Sequence, residues 1–423
     1  MSINIALFGP GNVGSGVLEI LENKKQFIKK QFNIELNIKY IYVRNLSKYK
    51  HLNLDILETD FNKILNDDSI DVIIETMGGL EFADEIISKS LKLSKIVITA
   101  NKDILSYNLK KYIQLCDLYD TSIGIEASVC GGMPIINTLF GSLYLDNINS
   151  FYGIVNGTTN YILSNMEDNN ISFDEVLQKA ITHGYAEADP TSDIDGHDIS
   201  YKICILTKLI HGANINPDNI WSQGIRRILN EDFKYAKMLN STIKMIGLVE
   251  KIKDINSNKE YLKIIVSPMI VNKNMMEANI KDCINIITIN SDNLDQTTMI
   301  GRGAGKLPTA NSIVNDLINI TTNKSYSNLI DNNNLEVIKN WESKFYIRFR
   351  ASDNLGIVQK IGEFCANNKI SINSLLQLPI QNPKDIVFIM ITEECSINNI
   401  NKFKKEIKKE NILLEEIFLM PIL

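Results

Sequence analysis

Six residues behind an apolar strand constrain this chain more than any other feature. Residues 3–8 (Ile3-Asn4-Ile5-Ala6-Leu7-Phe8) suit a short buried strand, and Gly9-Pro10-Gly11-Asn12-Val13-Gly14 follows at once. A helical spacing then begins, through Val17, Leu18 and Leu21. Strand, G-x-G-x-x-G and helix in that order is the context a dinucleotide fingerprint demands. Gly9 permits the tight turn, Gly11 lets the backbone approach a pyrophosphate, and Gly14 lets the helix lie on the strand. The helix start, at Asn12 and Val13, offers free N–H groups to the phosphates.

The pattern that follows fits such a sheet. The next apolar strand, 34–43, ends at Arg44. An Asp or Glu there would serve the ribose hydroxyls of NAD(H); Arg44, with Lys48 nearby, suits the 2′-phosphate of NADP(H). An ordinary solvated arginine is the other reading of Arg44. Strands at 71–75, 96–99 and 122–126 alternate with helices, which predicts an α/β Rossmann domain with a doubly wound parallel sheet over 1–132. Asn101-Lys102 stands at the carboxyl end of the fourth of these strands, where open α/β sheets bind ligands. Gly131-Gly132-Met133-Pro134 closes this half, with Pro134 in the first turn of a new helix.

Beyond it, longer strands such as 150–155 and 261–266 predict a mixed α+β domain over 133–302. Gly301-Arg302-Gly303-Ala304-Gly305 turns the chain back, and a helix at about 303–320 completes the first domain. The polar run Asp331-Asn332-Asn333-Asn334 marks a linker, 321–344. The tail, 345–423, spells βαββαβ, the ferredoxin-like plan, with Asp353-Asn354-Leu355-Gly356 as its first turn.

Bulk properties narrow the class. A net charge of −6 over 423 residues argues against nucleic acid as partner. The six cysteines form no CxxC pair, which fits a reducing compartment without structural zinc. The start shows no basic-plus-apolar leader, and no apolar run would span a bilayer, so a cytoplasmic chain away from membranes is expected.

The segment from Gly184 to Lys202 carries the most chemistry, with a turn at Pro190 and Gly196. After Gly196, Ile199, Ile203, Leu206 and Ile210 recur at helical steps, so Asp198 and Lys202 share one helix face. Ile205 and Leu209 border that face, and charge beside apolar surface should be paired. An Asp that orients a Lys beside a half-dry pocket can handle a proton. The same spacing also serves a plain surface pair. A calcium loop is excluded, because Thr191 and Lys202 would fill its first and last positions.

The chain resembles homoserine dehydrogenases over nearly its whole length. The resemblance is carried by Thr99-Ala100-Asn101-Lys102, by residues 126–136, by Gly153-Ile154-Val155-Asn156-Gly157-Thr158-Thr159-Asn160 and above all by residues 184–202. It implies interconversion of L-homoserine and L-aspartate 4-semialdehyde with NADP(H) or NAD(H), in the threonine and methionine branch of biosynthesis. It implies that Lys202 gives and takes the proton of the substrate oxygen, that Asp198 holds it, and that Lys102 stands between cofactor and substrate. The 133–302 domain would serve substrate binding and dimerisation, with Glu187, Tyr185, Thr158 and Asp193 binding substrate. Gly184 and Gly303 would join the fingerprint glycines, Arg44 and Lys102 around the cofactor. Glu126, with the backbones of Val129, Gly131 and Met133, would hold a monovalent cation, Na⁺ or K⁺. The tail resembles an ACT-type amino-acid-binding domain, which implies threonine as effector, and the assembly would be a homodimer or homotetramer.

None of His51, His183, His197 and His211 falls in a dehydrogenase-like base position. Lys202 would need its pKa lowered, by Lys102 and desolvation, to act near neutral pH. Cys130, at the end of the last strand of the first domain, is expected to be a free thiol open to alkylation. There are departures from the family pattern: Arg302 replaces a proline, and the tail lacks a proline in its first turn and an arginine at its end. The rival reading is a non-catalytic amino-acid sensor that keeps its nucleotide domain; intact Lys202, Asp198, Glu187 and Lys102 speak against it.

Overall fold

The computed structural model describes residues 1–49, 54–254, 258–322, 332 and 334–423. His51, Asp331 and Asn333 lie outside the described residues.

The first unit runs β1 (Ser2–Phe8), α1 (Asn12–Phe32), β2 (Glu35–Tyr42), β3 (Leu57–Glu58), α2 (Phe61–Leu65), β4 (Val72–Glu75), α3 (Glu81–Lys92), β5 (Ile96–Thr99), α4 (Lys102–Leu118) and β6 (Ile123–Gly124). Its strands are all parallel, in the order β3-β2-β1-β4-β5-β6. That is the doubly wound order with its switch point between β1 and β4. Strand alternation explains the two covered faces. Ile3, Ile5 and Leu7 of β1 join Val17 and Leu21 of α1. Ala6 and Phe8 point the other way, to the core with Ile86 and Ile87 of α3 and Leu105 and Leu109 of α4. Strands buried on both faces read as unbroken apolar runs, which is why they stand out in the sequence.

The second unit holds α5 (Ile135–Gly141), β7 (Ile148–Ile154), α6 (Gly157–Asn169), α7 (Phe173–Thr182), α8 (Thr191–Ile194), α9 (His197–His211), β8 (Trp221–Ser222), α10 (Asn230–Met238), β9 (Ser241–Lys253), β10 (Glu260–Asn272), β11 (Ile284–Ser291) and β12 (Asp295–Arg302). These strands build a sheet ordered β12-β11-β7-β9-β10-β13, where β13 is Glu336–Val337 and β8 pairs beside it on β10. Helix α11 (Lys306–Thr321) returns to the first sheet. It crosses α1 at Gly16, where a Cβ would come within 2.9 Å of the Lys306 carbonyl.

Helix α11 starts at Lys306 and holds Pro308 in its first turn, where the missing N–H is not needed. Two segments differ from expectation for local reasons. Residues 191–194 are one helical turn rather than open loop: Asp189 accepts the Thr191 N–H at 3.1 Å, and Asp193 and Ile194 bond back to the Pro190 carbonyl. The strand expected at 122–126 shrinks to two residues, with a 3₁₀ turn at Glu126–Ser128.

The tail adds β14 (Glu342–Ser343), β15 (Phe345–Ala351), α12 (Ile357–Asn367), β16 (Ile372–Gln377), β17 (Ile386–Thr392), β18 (Cys395–Ser396), α13 (Ile397–Lys409) and β19 (Phe418–Pro421). Its sheet is antiparallel, ordered β16-β17-β15-β19, the ferredoxin-like arrangement. Phe345, Ile347 and Phe349 pack with Ile361 and Cys365 of α12 and Phe403 of α13. Tyr346 and Arg348, on the opposite face, reach Asp232 of α10.

Lys244 of β9 is a buried charge that ties α6 to this sheet. Its ammonium donates to the Ile280 carbonyl at 2.6 Å and to Asn160 at 3.3 Å. Burial pushes its pKa down from 10.5 to about 8. Between those values the unfolded chain binds more protons than the folded one, so this group's contribution to stability rises with pH from about 8 to about 10.5. Over that interval wild type should gain at most about 3 kcal/mol relative to Lys244→Met in denaturant unfolding. Parallel curves for the two chains would exclude Lys244 as the source.

Candidate active site

The site forms where the first unit meets the second, around the carboxylate of Asp198. Gly196, at φ +90°, turns the chain into α9 and puts Asp198 in the first turn and Lys202 one turn later. Both are buried. Lys202 Nζ donates to Asp198 Oδ2 and to the Val155 carbonyl, each at 2.7 Å. Lys102, the first residue of α4, comes from the other unit and stands 3.2 Å from Asp198 Oδ1. Asn101 fixes that helix start: its Oδ1 caps Ile104 N–H and its Nδ2 donates to the Gly79 carbonyl.

Asn156 completes the cluster, and sequence reasoning missed it. Its Oδ1 caps α6 at Thr159 N–H, while its Nδ2 donates to Asp193 Oδ1 at 2.7 Å and Asp198 Oδ2 at 2.8 Å. The Asn-x-x-Thr sequence after a strand is a visible cap signal; that the cap would also gather two distant carboxylates is not visible. Burial pushes the Asp198 carboxyl up, but the Lys202 and Lys102 ammoniums and the Asn156 amide outweigh it and hold it well below the usual range. The Asp198 charge in turn raises the Lys102 pKa. Asp193 is raised, by burial first and then by the Asp198 charge.

Of the remaining expected substrate residues, Thr158 and Tyr185 lie beside this cluster. Thr158 donates its hydroxyl to the Tyr185 carbonyl at 2.8 Å, and the Tyr185 ring lies 4.6 Å from that of Tyr161. Glu187 and Gly184 are exposed, and Gly184 takes φ +74°. His183 and His197 are exposed. His211 is buried against Phe151.

A dinucleotide fits the residues present. At Gly14 a Cβ would fall 2.1 Å from the Gly9 carbonyl, whereas at Gly11 a Cβ would meet nothing within 4 Å. The first glycine contact is thus closed by packing and the second lies open for a ligand. The start of α1 has no side-chain cap and no acidic residue in its first turn, so the N–H groups of Asn12 and Val13 lie clear of competing charge. Arg44, just past β2, is exposed with its guanidinium 5.2 Å from the Phe82 ring. Glu75, another residue missed from sequence, ends β4 and organises the facing loop by accepting from Met77 N–H, Gly78 N–H and the Thr99 hydroxyl.

The Glu126 carboxylate is committed elsewhere. It accepts from Ile136 N–H, Asn137 N–H and the Asn137 amide at the start of α5, and burial pushes its pKa up to about 7. A monovalent cation here would rest on main-chain carbonyls, of which Gly131's already accepts from Ser312 and Met133's from Ile135 N–H. Gly303 lies against Asn285, whose amide occupies the space of a Cβ. Cys130 is a free thiol but fully buried, and burial raises its pKa to about 11, so the expectation that it reacts with alkylating reagents is corrected.

Comparison with known proteins identifies the relatives of this chain. The family model for homoserine dehydrogenase matches residues 134–318, and that for the homoserine dehydrogenase NAD-binding domain matches residues 9–123. The Helicobacter pylori homoserine dehydrogenase is 33% identical over 417 residues, covering 98% of this chain and 97% of its own. A crystal structure of a homoserine dehydrogenase from Thiobacillus denitrificans superposes with a TM-score of 0.91 at 28% identity, covering 100% of this chain and 98% of that one. A hyperthermophilic archaeal homoserine dehydrogenase in complex with NADPH, 23% identical, shares the fold at a TM-score of 0.66, covering 78% and 100%. Two family models over most of the chain and a full-length relative above 30% identity place it: this chain belongs to the homoserine dehydrogenase family, an oxidoreductase family with a nucleotide-binding and a catalytic domain.

Proposed function

We propose that this chain interconverts L-homoserine and L-aspartate 4-semialdehyde with NADP(H), in the cytoplasm and as a homodimer or homotetramer. The single observation that carries the reading is the buried Asp198 carboxylate held between Lys202 and Lys102, one lysine from each unit. A nicotinamide dinucleotide, its pyrophosphate held by Gly9–Gly14, would supply hydride transfer; the chain must orient the substrate and move one proton. An ammonium has three donors. Two of those on Lys202 are spent on Asp198 and Val155, which leaves one for the substrate oxygen. Lys202 gives that proton in the reductive direction and takes it back in the oxidative one. Asp198 fixes the Lys202 rotamer, so its role is orientation. Glu187 binds the substrate ammonium group, with Tyr185, Thr158 and Asp193 shaping the rest of the pocket. Gly184 and Gly303 border the cofactor side, and any monovalent cation sits on the carbonyls of the 126–133 loop. The intact cluster disfavours the sensor reading. Lys202→Ala should lower kcat at least about a hundredfold with the fold unchanged by circular dichroism. Near wild-type turnover in that variant would remove Lys202 from the mechanism.

The cofactor preference rests on Arg44. It is exposed at the carboxyl end of β2, where a 2′-phosphate would lie, and Asp55 and Glu58 are the acidic residues that follow it in the chain rather than occupying its place. The archaeal family member's complex with NADPH supports the same choice. NADP⁺ should show the lower KM, and Arg44→Asp should narrow or invert the preference. Wild type that prefers NAD⁺ would make Arg44 a plain surface residue.

The tail is read as an ACT-type domain that binds threonine. Gly356, at φ +85°, opens α12 beside Asp353 and Asn354, and a cleft of about 350 Å³ there is lined also by Gln377 and Phe388. The helix start offers N–H groups to a carboxylate and Asp353 offers a partner to an ammonium. Threonine at millimolar levels should inhibit the full-length enzyme, and calorimetry should register its binding. No binding and no inhibition would leave the tail a structural module.

A further inference from the structure

Residues 222–227 lie between the substrate loop and the tail, and they bond to both. Toward the substrate loop, Ile225 N–H donates to the Ile194 carbonyl at 2.9 Å and the Ser222 hydroxyl to the Asp195 carbonyl at 3.3 Å. Gly224 allows that approach: a Cβ there would stand 2.5 Å from the Ile194 carbonyl. The Arg226 guanidinium grips both oxygens of Asp195, at 2.6 and 3.1 Å, and reaches the Thr191 hydroxyl at 3.4 Å. These contacts hold the helical turn Thr191–Ile194 from outside, while Asn156 holds its Asp193 from inside.

Toward the tail the same segment makes a second set of bonds. The Gln223 amide donates to the Leu419 carbonyl of β19 at 2.7 Å. Arg227 donates to the Glu416 carbonyl at 2.5 Å and lies 5.4 Å from the Phe418 ring. Arg348 of β15 donates to the Arg227 carbonyl at 3.0 Å. Adjacent arginines therefore face opposite ways, Arg226 to the loop that carries Asp193 and leads into Asp198, and Arg227 to the tail.

We infer that this segment is a strap that sets the substrate loop, that Arg226 is a positioning residue for the substrate site, and that the tail's placement reaches the site through it. The inference rests on the reading of Asp193 and Asp198 as site residues, but not on any effector. The competing account is a set of ordinary surface contacts. Exposed ion pairs are worth little to stability, so Arg226 and Arg227 can be replaced without unfolding the chain. Spatial intermediacy alone does not demonstrate coupling, so the test reads coupling directly.

The test uses the full-length chain and the variants Arg226→Gln, Arg226→Lys, Arg227→Ala and the double variant Arg226→Gln/Arg227→Ala. Amide hydrogen exchange of residues 191–197 is read first, because it does not depend on activity. Arg226→Gln and Arg227→Ala should each speed that exchange about fivefold, although Arg227 bonds only toward the tail. The KM for homoserine should rise by a similar factor of about five, with kcat and the cofactor KM held, and Arg226→Lys should restore part of it. The double variant should show less than the product of the single effects, since one strap cannot be released twice. Unchanged exchange in Arg227→Ala, or multiplicative effects in the double variant, overturns the strap. A wild type without homoserine-dependent turnover would sink the catalytic reading instead, and the exchange measurement would still decide the strap.

Discussion

A buried carboxylate must be compensated, and the fold is arranged around compensating Asp198. Its partners come from three places: Lys102 at the start of α4, Lys202 one turn along α9 and Asn156 just past β7, while the neighbouring Val155 carbonyl accepts a second hydrogen bond from Lys202. Removing Asp198 would leave the buried Lys202 ammonium without its carboxylate, a loss that costs about 3–5 kcal/mol. The nucleotide-binding unit and the catalytic unit are therefore tied together by electrostatics at this cluster. Lys102 and Lys202 are bound to the two oxygens of the same carboxylate, so Asp198 joins a lysine of each unit.

Much of this was legible in the sequence where the signal is local. The glycine fingerprint, the alternation of apolar strands and helices and the four-residue spacing of Asp198 and Lys202 each follow from rules that span one turn or one strand. What was not legible depends on residues far apart in the chain. Asn156 looks like a helix cap and is one, yet its other amide atom joins Asp193 and Asp198, 37 and 42 residues on. Glu75 reads as the polar end of a strand and instead organises a turn. Cys130 reads as a thiol at a ligand-facing strand end, and packing buries it. Burial and long-range pairing come from the tertiary fold, and no periodicity reports them.

The second glycine turn shows the same division. The sequence marks Gly301 to Gly305 as special and Arg302 as a departure. The structure gives the reason the departure is tolerated: Arg302 contributes its carbonyl, which accepts from Gly132 N–H at 3.1 Å, and a main-chain bond is indifferent to the side chain. Gly303 has no such freedom, because the Asn285 amide fills the place of its Cβ, and Gly131 packs against the Gly303 carbonyl. Two glycine loops from distant parts of the chain thus close against each other, and neither Gly131 nor Gly303 can take a Cβ without a clash.

The tail's two faces limit how it can act. One face is buried on its own helices through Phe345, Ile347 and Phe349. The other is already engaged by the second unit: Tyr346 and Arg348 are bonded to Asp232, and Tyr235 donates to the Val387 carbonyl at 2.7 Å. Arg348 and Asp232 are both buried, so this contact tolerates little sliding; a small displacement would strand two charges. A ligand of the tail consequently cannot insert into that face without a large cost. Were the tail to take a ligand, at the Asp353 to Gly356 turn or elsewhere, the fixed contact would limit its response to small rotations of the whole tail. Such rotations would be felt first by chain bonded to the β19 edge, which is the segment carrying Gln223 and Arg227.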